Sequence, residues 1–352
     1  SNVSMTSPAA FKSDRGYKGF LGLESHEYFH HWNVKRIRPA TLGPFDYQRE
    51  NYTRGLWVSE GITSYYGDLL LRRAGITTTA EYLESLGNLL AGYEQLPGRF
   101  IQSAESASFN AWIKHYRPDE NSPNTAMSYY TKGEILGLLF DLEIRSLTNN
   151  TKSLDDVMRM LLENHGLPKP GFTDAELKAA FEKVAGADLS DLWRRYVSGN
   201  EEVDFAAYLN KAGLQLTKGY LPATPYANSK TDKPGTIGIR TRLQGDRVLV
   251  ANTLAGLPAY EGGLNASDEI VAIDGRRVDA AGALERLNDL RAGQRVTVTF
   301  FRRERLMSLD LTAATKPFDR YTITESKEAS EEQKALRRAW FNEKPNEKPD
   351  GK

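Results

Sequence analysis

The chain has 352 residues with 46 Lys plus Arg and 46 Asp plus Glu, a formal net charge of +0. That length accommodates two domains with cores of their own, and the balanced charge removes the electrostatic case for nucleic acid or an anionic membrane as partner. There is no cysteine, which excludes disulfides and thiolate metal sites, and no apolar run reaches the ~18 residues of a membrane span.

The opening stretch, SNVSMTSPAAFKSDRGYKGFLG, lacks the uninterrupted apolar core of a signal peptide. The compartment stays open, with the cytoplasm favoured over the periplasmic location that an upstream signal peptide would imply. A helix is expected from about Gly19 to Val34, ended by Arg38-Pro39 because the residue before proline leaves helical geometry. It contains His26-Glu27-Tyr28-Phe29-His30, an H-E-x-x-H pattern. Four residues span a little over one turn, so both imidazoles project from one face and can hold one zinc ion. Glu27, to the side, can reach a water there and serve as general base. The competing reading is a buried helix on which histidines cluster by accident.

Residues 39–55 form a loop with two prolines and two glycines. A second helix follows, with apolar residues at 58, 62, 65, 66, 69 and 70 and a stop at Ala74-Gly75. Glu60 lies in its first turn beside the apolar face. A buried carboxylate needs a partner, and a zinc ion held by His26 and His30 would be one. The alternative is a Glu favoured there by the helix dipole.

HEYFH followed by LWVSEGITSYY resembles the gluzincin metallopeptidases, whose second helix carries the third ligand in an N/S-E-G-F/I-x-S-Y context. The wider match, HEYFHHWNVKRIRP with LWVSEGITSYYGDLLLRRAGI, is similar to the glycyl aminopeptidase family. The resemblance implies a mainly α, thermolysin-like catalytic domain followed by a small α+β PDZ domain. It implies Zn2+ held by His26, His30 and Glu60, and removal of N-terminal glycine or alanine from peptides. The family also carries a long N-terminal β-rich domain and a Gly-Gly-Leu-Glu-His-like segment, neither of which is found in these residues. The chain is therefore expected to be the C-terminal part of a longer protein, with weak or no activity alone.

Thr77–Thr79 predict the cap of a helix over 80–94. Residues 95–128 are polar and weakly periodic, fitting a substrate-cleft border and a plain surface loop equally. They include His115, for which no partner is evident. An amphipathic helix then runs from Ser128 to about Leu147. A Tyr hydroxyl at its start can donate to the oxyanion of peptide hydrolysis, and Tyr129 and Tyr130 both qualify. The gluzincin resemblance selects Tyr130, since Tyr130-Thr131-Lys132-Gly133 matches the family's Y-x-K-G setting. Ser153 and the Thr173–Glu176 capping box open further helices, another spans about 190–197, and His165 reads as a C-terminal cap.

Residues 1–216 are thus expected to form the catalytic domain, and 217–234 a proline-containing linker. Beyond it the period changes to two. Strands are expected at 235–240, 247–251, 269–273, 294–302 and 305–312, with a helix at 280–291. The run PAYEGGLNASDEIVAIDG resembles bacterial PDZ domains, which places a PDZ domain at 235–316 with a peptide ligand between a strand edge and a helix. Gly235, Ile237, Gly238 and Ile239 would form the strand with the carboxylate loop, and Leu284 and Leu287 would face the groove or the core. Residues 317–352 are expected to be a tail: a strand-like run at 321–324, a docking helix over Glu331–Phe341, and a disordered NEKPNEKPDGK. The rival function is a PDZ-based peptide-binding scaffold whose metal site is structural or idle.

Overall fold

The computed structural model describes residues 3–221, 233–279 and 285–343. Its first helix, α1 (Asp14–Phe29), begins where the Ser13 hydroxyl accepts from the Gly16 amide. It ends at Phe29, after which the chain tightens into i→i+3 turns (His31 N–H to the Tyr28 carbonyl at 3.0 Å) and reaches φ +98° at Val34, a conformation no helix continues through. The helix therefore lies earlier than the expected 19–34, and His30 is its cap. A turn of π-helix, Trp57–Ile62, leads directly into α2 (Thr63–Arg73), and a Thr78/Glu81 capping box opens α3 (Thr79–Glu94). The polar stretch expected to lack structure contains α4 (Ala104–Phe109) and α5 (Ser122–Thr125).

The helical core is built around α6 (Tyr129–Leu147), which buries Ile135, Leu136, Leu139, Phe140 and Leu142. Phe140 packs against Phe181 at 4.5 Å and Trp193 at 5.8 Å between ring centroids. Around it stand α7 (Leu154–His165), α8 (Asp174–Ala185), α9 (Ser190–Leu192) and α10 (Phe205–Lys211). Gly61 and Gly133 let the π-helical turn and α6 approach almost backbone to backbone. A Cβ on Gly61 would lie 2.3 Å from the Gly133 Cα.

β1 (Leu214–Gly219) pairs antiparallel with β10 (Arg320–Glu325). The described residues 233–279 and 285–316 between them form a second unit. There β2 (Gly235–Thr236) pairs with β9 (Ala314–Thr315). The main sheet runs in the order β3 (Ile239–Gln244), β4 (Arg247–Thr253), β5 (Glu269–Ile273), β7 (Arg295–Arg302), β8 (Arg305–Thr312), with β6 (Arg276–Arg277) beside β5. It encloses Ile237, Val248, Val250, Ile270, Val298 and Phe300, together with α11 (Pro258–Glu261). Residues 285–288 are helical.

The chain then returns to the helical part. Tyr321 of β10 lies against α3, where a Cβ on Gly87 would come within 2.3 Å of its carbonyl. The last helix, α12 (Glu331–Trp340), buries Trp340, whose indole Nε1 donates to the Tyr65 hydroxyl at 2.8 Å. Tyr65 donates onward to Asp141 at 2.6 Å. Residues 320–340 thus join the helical domain through β10 and the expected docking helix, and residues 217–219, expected in the linker, belong to β1. Of NEKPNEKPDGK, all but Asn342 and Glu343 lies outside the described residues.

Candidate functional site

His26 on α1, His30 at its cap and Glu60 in the π-helical turn converge. The Nε2 atoms of both histidines lie 3.3 Å from the same Glu60 oxygen, Oε2. The other ring nitrogens are already committed. A carbonyl only accepts, so the contact of His30 Nδ1 with the Asn33 carbonyl at 2.9 Å puts a proton on Nδ1. Ser64 donates its hydroxyl to the Glu60 carbonyl at 3.0 Å, so its oxygen is free to accept from His26 Nδ1 at 3.3 Å. Both Nε2 atoms are left facing a carboxylate.

Such a cluster attracts positive charge. Burial opposes ionisation of Glu60, yet the two facing imidazoles outweigh it and hold its carboxyl at about 2. Burial also works against a charged His30, and Glu60 together with the Asn33 carbonyl still raises it. Among the described residues, these three are the His, Cys, Asp and Glu side chains grouped closely enough to hold a metal, with ligand atoms within 4.8 Å of one another. Two imidazoles and one carboxylate, with outer partners fixing both tautomers, fit a zinc ion by donor chemistry.

The cluster opens on a cavity of about 930 Å³ between α1, α2, α3 and α6. Glu27 and Tyr130 line it, and the Tyr130 ring stacks on His26 at 6.3 Å. Tyr129 instead is buried in the core, with its hydroxyl 3.1 Å from that of Tyr116. Burial and the negative charge of Glu60 push the Tyr130 hydroxyl well up, so it keeps its proton. His115 is not isolated, for its ring packs on Tyr129 at 4.9 Å and Tyr130 at 5.7 Å. Sequence reasoning missed Ser64, the Asn33 carbonyl, and two carboxylates on the cavity wall, Asp68 and Glu134. Burial raises Asp68, and burial together with Asp68 pushes Glu134 up to about 8. A signal for the wall residues existed, since Ser64 and Asp68 follow Glu60 at steps of four.

In the sheet domain the expected groove residues separate. Gly235 pairs with Thr315 in β2, and Ile237 is buried in the core, which takes its side chain out of any groove. Gly238, at φ +78°, turns the chain into β3, whose Ile239 packs partly buried on the core, as does Leu287 in the helical residues 285–288. Leu284 lies outside the described residues. Among the described residues β3 pairs with β4 alone, which leaves its other side a sheet edge there. The domain touches the helical part where Asn124 bonds the Thr253 carbonyl and the Ala255 amide, both at 2.8 Å.

No curated protein matches the chain. Among solved structures it is similar to an aminopeptidase N family protein from Idiomarina loihiensis, at 30% identity and a TM-score of 0.82. The alignment covers 97% of this chain and 56% of that one, so this chain spans little more than half that protein's length. An HtrA-type protease with a decapeptide aligns at 20% identity and TM-score 0.23, over 24% of this chain and 30% of that one. A serine endoprotease from Yersinia pestis does so at 19% and 0.22, over the same shares. Residues 19–136 match the M61 glycyl aminopeptidase family and residues 235–312 the PDZ domain. The chain thus carries an M61 glycyl aminopeptidase domain and, after it, a PDZ domain.

Proposed function

We propose that this chain forms the catalytic part of a zinc-dependent aminopeptidase that removes small N-terminal residues, glycine or alanine, from peptides. The observation that carries this reading is the convergence of His26, His30 and Glu60 on one point of a cavity that Glu27 and Tyr130 also line. The preference for small residues rests on the family likeness alone.

His26, His30 and Glu60 would hold the zinc, which when bound supplies Lewis acidity to a carbonyl and lowers the pKa of water towards about 7. Glu27, beside His26 on the cavity side, accepts the proton of the water that attacks the scissile carbonyl. It then hands that proton to the leaving amine. Tyr130 donates its hydroxyl hydrogen to the oxygen on which negative charge develops. The open edge of β3 would take an extended peptide as an added strand, giving the PDZ domain a ligand of the same chemical kind as the substrate.

Hydrolysis of glycyl and alanyl arylamides by the full-length protein, before and after chelation, tests the reading. Turnover that disappears with the metal and returns with zinc is expected. Turnover indifferent to chelation would overturn it.

A further inference from the structure

We propose that Asn33 is a positioning residue for the metal centre, setting the His30 end of α1 and the Glu60 turn in register through one buried amide. The inference rests on reading His26, His30 and Glu60 as ligands. Asn33 is 1% exposed and acts in two directions. Its carbonyl accepts from His30 Nδ1, which turns the Nε2 lone pair outward. Its side-chain Nδ2 donates to the Val58 carbonyl at 2.7 Å and to Thr63 Oγ1 at 3.0 Å, with the Ser59 carbonyl at 3.4 Å. Those acceptors bracket Glu60 on both sides. Thr63 in turn donates its hydroxyl to the Ser59 carbonyl at 2.7 Å, so it presents only a lone pair to Asn33.

Every neighbour of Nδ2 is therefore an acceptor, and the position demands a donor. A carboxylate of the same shape would set oxygen against oxygen. The π-helical geometry of Trp57–Ile62 fits this arrangement, because a side chain bonded to the carbonyls of a helical turn competes with its own ladder. Two features argue against a purely stabilising role. The Asn33 Oδ1 atom is buried without a hydrogen-bond partner among the described residues, a penalty an apolar side chain would avoid. The next residue, Val34, is β-branched yet sits at φ +98°, a conformation that persists only where its surroundings enforce it. The enforcing contacts are Val34 N–H to the Ile37 carbonyl at 2.8 Å and Ile37 N–H to the Trp32 carbonyl at 2.8 Å.

The test compares the parent protein with Asn33→Leu, Asn33→Asp and Thr63→Val. Zinc affinity is measured by chelator competition, and the ligand-field spectrum after reconstitution with Co2+, with circular dichroism to establish folding. Zinc affinity about 10–100-fold weaker and a shifted Co2+ spectrum are expected in both Asn33 variants, with the same effect in smaller measure in Thr63→Val. That last, isosteric change keeps the test sharp should an Asn33 variant fail to fold. Parental zinc affinity and Co2+ spectrum in the folded variants, even with a lower melting temperature, would overturn the proposal and leave Asn33 a structural residue. A parent that binds neither zinc nor Co2+ would instead overturn the ligand reading, and this inference with it.

Discussion

Gly61 and Gly133 meet with no side chain between them, and through that contact the turn bearing Glu60 is pressed against the helix bearing Tyr130. A Cβ on Gly133 would come within 2.3 Å of the Trp57 carbonyl oxygen, and one on Gly61 would meet the Gly133 backbone. Both obstacles are main chain, so no rotamer change relieves them. Gly61→Ala or Gly133→Ala should destabilise by about 1–3 kcal/mol, the usual range for overpacking, and should move Tyr130 away from Glu60. Denaturant titration of each variant gives the stability, and unchanged midpoints would contradict the contact.

Zinc should be bound at about one per chain and lost in His26→Ala or His30→Ala. Glu27→Gln should keep the metal and lose hydrolysis, because it removes a base and not a ligand. The parent should also melt higher with zinc than with chelator, by mass action about 2.7 kcal/mol at a hundredfold excess over Kd. The histidine variants should show no such difference. Stoichiometric metal in both, measured by elemental analysis, would reject the ligand assignment.

The two adjacent tyrosines should part ways on mutation. Tyr130→Phe removes a donor from the cavity and should lower kcat about 10²–10³-fold, with zinc content and melting temperature nearly unchanged. Tyr129→Phe removes a buried hydroxyl bonded to Tyr116 and should cost about 1 kcal/mol of stability with near-normal turnover. The reverse pattern would exchange their roles.

Lys132 gives a pH signature away from His26, His30 and Glu60. It is buried, its Nζ reaching the carbonyls of Gln102 at 3.4 Å and Gly199 at 3.2 Å, and burial lowers it from 10.5 to about 8. Between those values the unfolded chain carries the proton and the folded chain does not, so stability rises with pH in that window. The cost of burying the charge is fully present below about 8 and relieved above. Unfolding free energy of the parent minus that of Lys132→Met should therefore increase from pH 8 towards 10.5. A flat difference would mean that the ammonium is not desolvated.

Much of the site could be read from spacing, and what could not was non-local. Local helix geometry puts His26 and His30 on one face, and the periodic apolar residues after Glu60 put that residue on a second helix, whereas its meeting with the two histidines is a tertiary contact. The π-helical turn was invisible because the groups that meet it, Gly133 and Asn33, lie far from it in sequence. The end of α1 was misplaced for a related reason, since the helix stops at Phe29 and the chain reaches φ +98° at Val34 although nothing in that residue type demands it. The pairing of β1 with β10 joins segments about a hundred residues apart, and neither strand alone has a strong period. Residues 95–128 read as a loop because their helices are one or two turns long, held by neighbours more than by their own pattern.

That same strand pair makes the PDZ domain, topologically, the loop of a long hairpin. Gly219 and Arg320 are register partners, so the chain leaves the helical domain and re-enters it at nearly one point. Joining them through a two-residue Asn-Gly turn, which suits antiparallel strands, would excise the PDZ domain while keeping β10, α12 and the buried Trp340 in place. Cutting the chain short after Gly219 would strip these elements from the core beside α2 and α3. The module lying between the strands is thus removable as a cassette, whereas the helix that follows it in sequence belongs to the helical domain.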